Sequence, residues 1–499
     1  DSRIWPRLVR QASAIRSSRV ANPLRPYRSS GGEVSAAEGG MRDELGGGFH
    51  RYSVDERWFL PHFEKMLYDQ AQLAVSLLEA FQITHEPLYA SVAGDILDYV
   101  LRDMRDPAGG FYSAEDADSI IDPAFPGRKG EGAFYIWRQP EIEAIAGQPA
   151  AEWFCFRYGV LEAGNVSEDP HGEFEGENIL YQAHSLEETA EHFGKPLDEV
   201  RSAVLQTERQ LLGTRSRRPR PHRDEKVLTA WNGLMLSALA KGGAILSDQR
   251  YTDAARAAAD FLTGRMYDRN TGVLLRRYRE GDAAISGFLD DYAFLIQGLL
   301  DLYEAAFHLP DLETAGELAR RQIEIFEDKA AGGFFTTGAG DPSLVLRMKD
   351  DYDGAEPSGN SIAALNLLRL AQITNSGEFR EAAARAMRFY AERAASAPEA
   401  MPQMLAVYEF SLARPRQVIL VGEGSSPDTA ALVQALYSRF VPNKIVLLVD
   451  DGTRERLSAY IPAIQSMEEI DGRPAAYVCE DYTCKLPTAD PGRLAELLQ

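Results

Sequence analysis

GGGFHRYSVDERWFLPHFEKMLYDQAQLAVSLLEAF, residues 46–81, joins two patterns that seldom meet in one segment. A glycine triplet leads into an alternating aromatic run, Phe49 to Tyr52, and after a polar bend Pro61 opens what reads as a helix. The first turns of that helix hold His62, Glu64, Lys65, Tyr68 and Asp69. Its later half, Leu73 to Phe81, is apolar on nearly all sides, the mark of a buried helix. Each unpaired charge taken out of water is costly, so the economical reading puts the start of this helix in a wet cleft and its body in a core.

The pattern recurs. Gly109-Gly110-Phe111 and Gly332-Gly333-Phe334 repeat the glycine–aromatic signal, and all-round apolar helices are expected at 228–246, 289–307, 357–374 and 401–414. Between them lie segments with a single apolar stripe, at 88–104, 251–266, 311–327 and 378–397. An outer helix, a glycine–aromatic turn, a polar cluster and a buried helix thus repeat at intervals of roughly 60–80 residues. Such units cannot bury both faces alone and must close on one another. The expected architecture is a mainly α, (α/α) toroid with its inner ring at 62–82 and the four segments above, and a less regular inner member within 138–160. Every glycine–aromatic turn joins an outer C-terminus to an inner N-terminus, so the polar clusters and the positive ends of the inner helix dipoles gather at one end. That end is the expected pocket.

From residue 416 the period shortens to β-branched runs at 418–422, 444–450 and 475–479, a small C-terminal α/β region over 416–499. Residues 1–40 are rich in Arg and Ser and poor in acid, and are read as a poorly ordered leader, leaving 41–415 for the toroid. The chain begins without Met, as a fragment would. Over its 499 residues 53 basic groups face 75 acidic ones, a net charge of −22 that argues against nucleic acid or an anionic membrane as partner. No apolar run is long enough to span a bilayer. Three cysteines exclude a disulfide framework; Cys479 and Cys484 lack the C-x-x-C spacing and are expected as free thiols in a reducing cytoplasm.

The chemistry-bearing residues sit at the helix starts. His50 and His62 are candidate acid or base groups, with Glu64 beside them to tune a histidine near neutral pH. Asp290 and Asp291 head another buried helix; one suffices as a cap, and two carboxylates in a cleft raise each other's pKa. Glu356, before Pro357, reads equally as a helix start and as a catalytic carboxyl. Trp231 and Asn232 suit a sugar face, since Trp offers an apolar plane with a polar handle. Arg51, Tyr52, Tyr68, Asp116, Lys226 and Asn360 complete the candidate substrate contacts. SAEDADS (113–119) with Glu131 is acidic, but its spacing does not match a calcium loop; neither metal nor cofactor is expected.

GGGFHRYSVDERWFLPHFEKMLYDQAQLA, GGFYSAEDADS with EGAFYIW, DEKVLTAWNGLMLSALA, LDDYAFLIQGLLDLYEA, DDYDGAEPSGNSIAALNLLRL and AYVCEDYTC together resemble the family of spermatogenesis-associated protein 20 and its bacterial relatives, over residues 41–499. The resemblance implies a thioredoxin-like domain ahead of this region, which this sequence lacks, and an (α/α)6 toroid of the six-hairpin glycosidase type, similar also to N-acylglucosamine 2-epimerases. Two functions follow as expectations. One is a sugar-acting epimerase, isomerase or glycosidase. The other is a toroid that binds a glycan or peptide without turnover and partners a thioredoxin-like redox domain.

Overall fold

The computed structural model describes residues 38–167, 172, 174–339, 345–413, 415–480 and 483–498; of the leader expected at 1–40, all but 38–40 lies outside them. Five inner helices run Leu67–Thr84, Thr229–Leu246, Leu289–Ala306, Gly359–Thr374 and Pro402–Leu412, each packed on the next. Four outer helices, Pro87–Asp103, Gln249–Phe261, Leu309–Phe326 and Gly377–Ser396, back them. The second inner helix buries an unbroken run from Asn232 to Ala240, whereas Pro87–Asp103 buries Val92, Ala93, Ile96, Leu97 and Val100, a single stripe. The molecule is a mainly α toroid, inner layer within outer layer. Among the described residues the inner arc has five members, and the first and fifth face one another across a cavity.

The inner member expected within 138–160 does not join that arc. Helices Gln139–Ala146 and Ala150–Arg157 pack with Leu186–Phe193 and Leu197–Arg215 around a separate core that includes Trp137, Ile142, Phe154, Val200 and Leu211. Eight residues per helix are two turns, too short to line the toroid.

The repeat has a physical cause. In three turns an aspartate side chain caps the loop by accepting backbone N–H groups: Asp43 from Gly46, Asp106 from Ala108 and Asp328 from Ala330. A glycine with positive φ then lies against the next outer helix. A Cβ on Gly47 would stand 2.6 Å from the Asp95 carbonyl oxygen, and one on Gly332 2.6 Å from that of Arg385. Only glycine allows this approach. The aromatic that follows is clamped through its backbone by an amide at the start of the inner helix. Gln70 Oε1 accepts from Phe49 N–H at 2.8 Å while its Nε2 donates to Phe49 O at 2.7 Å. Asn232 does the same to Phe111 (2.7 and 2.9 Å) and Asn360 to Phe334 (2.7 and 2.9 Å). In the remaining unit the Tyr292 hydroxyl accepts from Leu274 N–H at 3.0 Å.

The first inner helix begins at Leu67 rather than at Pro61. Pro61–His62 pairs antiparallel with Tyr52–Ser53, and Lys65–Met66 with Ala114–Glu115, which pairs in turn with Arg223–Asp224. Extended pairing alternates the side chains: Glu64 faces the solvent side, while Lys65 is buried with Nζ 2.9 Å from Asp43 Oδ2, a carboxylate also held at both oxygens by Arg215.

The C-terminal region is a four-stranded sheet, Lys444–Val449, Arg416–Val421, Ala475–Glu480 and Thr483–Cys484 in spatial order, the first two parallel and the rest antiparallel. One face of it, with Ile419, Val421, Ile445 and Leu447, belongs to the same core as the toroid. Cys479 and Cys484 form a disulfide, against the expectation of free thiols. The hairpin makes them direct cross-strand partners, a proximity that spacing along the chain does not reveal, and it removes the ground on which a reducing compartment was expected. Cys155 is free and buried. No helix of the described residues is long and apolar enough to cross a membrane.

Candidate functional site

The N-terminal end of the inner arc carries one continuous polar wall. His62 lies in the Pro61–His62 strand, stacked on Tyr52 at 4.8 Å between ring centroids. Its Nδ1 donates to Glu131 Oε1 at 2.7 Å, leaving Nε2 on the other side, 3.7 Å from Glu64 Oε2. Arg51 bridges onward, donating from Nη1 to Glu64 at 2.8 Å and from Nε to the Tyr68 hydroxyl at 3.2 Å. Tyr68 meets Trp231 edge to face at 4.9 Å, and the Trp231 indole N–H donates to Glu356 Oε2 at 2.9 Å. Arg276 closes the wall, with Nη1 3.1 Å from Asp290 and 2.7 Å from Asp291. Residues as distant in sequence as Arg51 and Glu356 are thus joined side chain to side chain.

Two carboxyls near the Trp231 indole are strongly shifted. Burial pushes the Glu356 carboxyl up to about 7, opposed by the Trp231 indole and reinforced by the charge of Asp290. Burial likewise pushes Asp69 up to about 7; Arg51 opposes it, and Glu356 and Glu64 add to it. Asp69 Oδ2 is buried and has no hydrogen-bond partner. A carboxyl with a pKa near neutrality can both hold and release a proton at working pH.

Several candidates bond to the scaffold or lie off the wall. His50 is 2% exposed, its Nδ1 donating to Phe63 O at 3.0 Å between the Phe63 and Tyr135 rings. Burial, then the Lys65 charge, drive its pKa down to about 3, so it stays neutral and away from the wall. Asn232 and Asn360 are fully buried and consumed by the backbone clamps described above. Asp291 is also fully buried and caps two segments, accepting from Phe288 N–H at 2.8 Å and Ala230 N–H at 3.0 Å, while Asp290 remains part-exposed. Burial and Asp290 raise Asp291 to about 7, and its oxygens are taken by the two backbone N–H groups and Arg276. Asp116 is exposed on the turn after Ala114–Glu115. Lys226 pairs with Asp224 at 3.0 Å. Neither contacts the wall.

The sequence reading had not assigned Asp69, Glu131 or Arg276. The reading had placed Asp69 among the polar first turns of a helix opening at Pro61 without giving it a role; starting at Leu67 makes it the third residue, the place that Trp231 and Asp291 hold in their helices. Glu131 had been weighed only with the acids of 113–119. Among the described residues no cluster of three or more His, Cys, Asp or Glu side chains is arranged to hold a metal ion. Inward of the wall a cavity of about 710 Å³ is lined near it by Gln72, Leu234 and Pro357, and farther in by Lys241, Asp301 and Arg369. Tyr437 and Lys444 of the C-terminal region border its far end.

The chain is 41% identical over 485 residues to spermatogenesis-associated protein 20 of Homo sapiens and 40% identical over 483 residues to that of Mus musculus, matches covering 93% of this chain. It spans 61% of the length of each of these relatives. No family model matches. Among solved structures it resembles a cellobiose 2-epimerase from Bacillus thermoamylovorans (9% identity, 70% of this chain, 66% of that one, TM-score 0.44) and a D-mannose isomerase (12%, 78%, 86%, TM-score 0.35). At such scores the fold assignment rests on the helix arrangement described above.

Proposed function

The chain belongs to the family of spermatogenesis-associated protein 20, and from that premise we propose that the polar end of its toroid is an active site for acid–base chemistry on a small carbohydrate, of the isomerase or epimerase kind. The observation that carries this reading is the unbroken wall from Glu131 through His62, Arg51 and Tyr68 to Trp231 and Glu356. It combines the three things such chemistry needs: an aromatic face, an imidazole oriented by a carboxylate, and a carboxyl able to carry a proton near neutral pH.

In the proposed reaction an open-chain sugar lies against Trp231. His62 Nε2 takes the proton from the carbon next to the carbonyl, and the protonated Glu356 gives its proton to the carbonyl oxygen. The product is an enediol, neutral overall, with His62 now charged and Glu356 ionised. Return of the proton to the former carbonyl carbon gives the isomeric sugar, return to the first carbon on its opposite face gives the epimer, and in each case Glu356 takes back a hydroxyl proton, so both groups are restored. Glu131 holds His62 in the tautomer that leaves Nε2 unprotonated.

The test is exchange of the carbon-bound hydrogen for deuterium, followed by proton magnetic resonance while the protein is incubated with aldoses and ketoses in heavy water. We expect exchange with at least one sugar, reduced by about 10²-fold or more in His62→Gln and Glu356→Gln. Binding without exchange in any sugar would leave a non-catalytic carbohydrate-binding toroid; full activity in both variants would remove the wall from the chemistry.

A further inference from the structure

We infer that the substrate of this site carries a primary ammonium group, held by Asp69 in the corner beside Glu356; the inference deepens the carbohydrate reading above and rests on it for the rest of the ligand. The geometry begins with how the two carboxyls meet. Gln72, one turn after Tyr68 on the first inner helix, donates from Nε2 to the Ala355 carbonyl at 2.6 Å, so the residue before Glu356 is fastened directly over the start of that helix. Tyr68 and Trp231 form the side of the corner and Trp231 fixes one Glu356 oxygen. Asp69 stands close enough there to feel the charge of Glu356.

What distinguishes the pair is the lack of a donor. Every other carboxylate of the wall has its cation or its N–H groups: Glu64 has Arg51, Glu131 has His62 and Phe63 N–H, and Asp290 and Asp291 share Arg276. Asp69 Oδ2 is buried without a partner, and the hydrogen bond from Trp231 is the one that Glu356 receives. Both guanidinium groups nearby are committed elsewhere. A native structure seldom leaves a buried acceptor unmet, and two such carboxyls beside an aromatic pair are complementary to a compact cation with several donors. An ammonium group offers three N–H donors on a point charge, and aromatic faces add cation–π attraction. A carboxylate or phosphate on the ligand would meet repulsion at the same place, which sets uronic acids and sugar phosphates against this site.

The experiment is calorimetric titration of the whole chain with four probes: D-glucosamine, N-acetyl-D-glucosamine, D-glucose and ethanolamine. We expect glucosamine to bind about tenfold more tightly than glucose or the N-acetyl sugar, the scale of one buried charge-assisted contact. That preference should vanish in Asp69→Asn, with glucose binding retained, and Asp69→Ser serves as the second variant if the first does not fold. Equal affinity for glucosamine and glucose overturns the inference while the carbohydrate reading stands. Ethanolamine binding with no response to any sugar keeps the ammonium site and removes the carbohydrate reading. No heat from any amine overturns the inference outright, as does an unchanged preference in both folded variants.

Discussion

Glu356 and His50 show how little a residue's name decides. Both stand beside a glycine or proline at the head of a buried helix unit, and both are titratable. His50 is buried just after the glycine–aromatic turn, donates to a backbone carbonyl and is neutral down to a pH of about 3. Glu356 stays at the mouth with an indole donor and is protonated up to about 7. A carboxyl that ionises near 4.5 in the unfolded chain and near 7 in the folded one binds the extra proton only when folded. Its contribution to stability is therefore present below pH 4.5 and is lost as pH rises through 7. Replacing Glu356 with Gln removes that loss. The variant is expected to match the parent at pH 4 and to exceed it at pH 8 by on the order of 1–3 kcal/mol in urea unfolding. A difference independent of pH would mean that Glu356 is not held protonated. A gain in stability joined to a loss of turnover is the signature of a strained functional group rather than of a structural one.

At the scale of elements, helix and strand identities followed from periodicity, while the helix starts did not. The expected starts at 228, 289 and 357 fall within two residues of Thr229, Leu289 and Gly359, but the one at Pro61 falls six residues early because short cross-strand pairs hold 61–66 extended. Pairing partners such as Ala114–Glu115 are far away in sequence, so no local signal could place that boundary. The same distance hid the purpose of the amides. Asn232 looked like a substrate contact because a polar residue at the head of a buried helix has few other uses, yet its partner is the Phe111 backbone, 121 residues earlier. Asn232→Ala strips that buried N–H and C=O of their partners at once. It is expected to destabilise the fold by about 2–4 kcal/mol in chemical denaturation, with no change in the affinity of the remaining folded protein for ligand. A normal stability would show that the clamp is not what holds the glycine–aromatic turn.

Across the whole molecule the C-terminal sheet is not an independent attachment. Ile419, Val421, Ile445 and Leu447 share the core of the inner helices, Gln82 Nε2 donates to Tyr437 O at 2.6 Å, and the Tyr437 hydroxyl donates to Glu304 O at 3.0 Å. The region stands at the C-terminal ends of the inner helices, opposite the polar wall, and borders the far end of the cavity there. Ending the chain after Leu412 would bare this apolar floor. Exposed patches of that kind drive association, so the truncated protein is expected to precipitate or elute as aggregates in size-exclusion chromatography. A monomeric, cooperatively unfolding 38–412 fragment would show instead that the two parts fold apart.

The sequence alone determined the layers of this protein: all-round apolar segments alternating with one-striped ones leave no arrangement but an inner ring within an outer one, and the turns between them fix which end is polar. Burial patterns are local, repeat with the helix period and survive in a single sequence. Only the tertiary structure decided which polar residues are spent on the scaffold. Asn232, Asn360, Asp291 and His50 are engaged by backbone groups, while Glu131 and Arg276 join the polar wall, Asp69 keeps a buried oxygen without a partner, and Cys479 finds Cys484 across a hairpin. A hydrogen-bond partner is set by where another part of the chain comes to rest, and that information is not carried by any one segment.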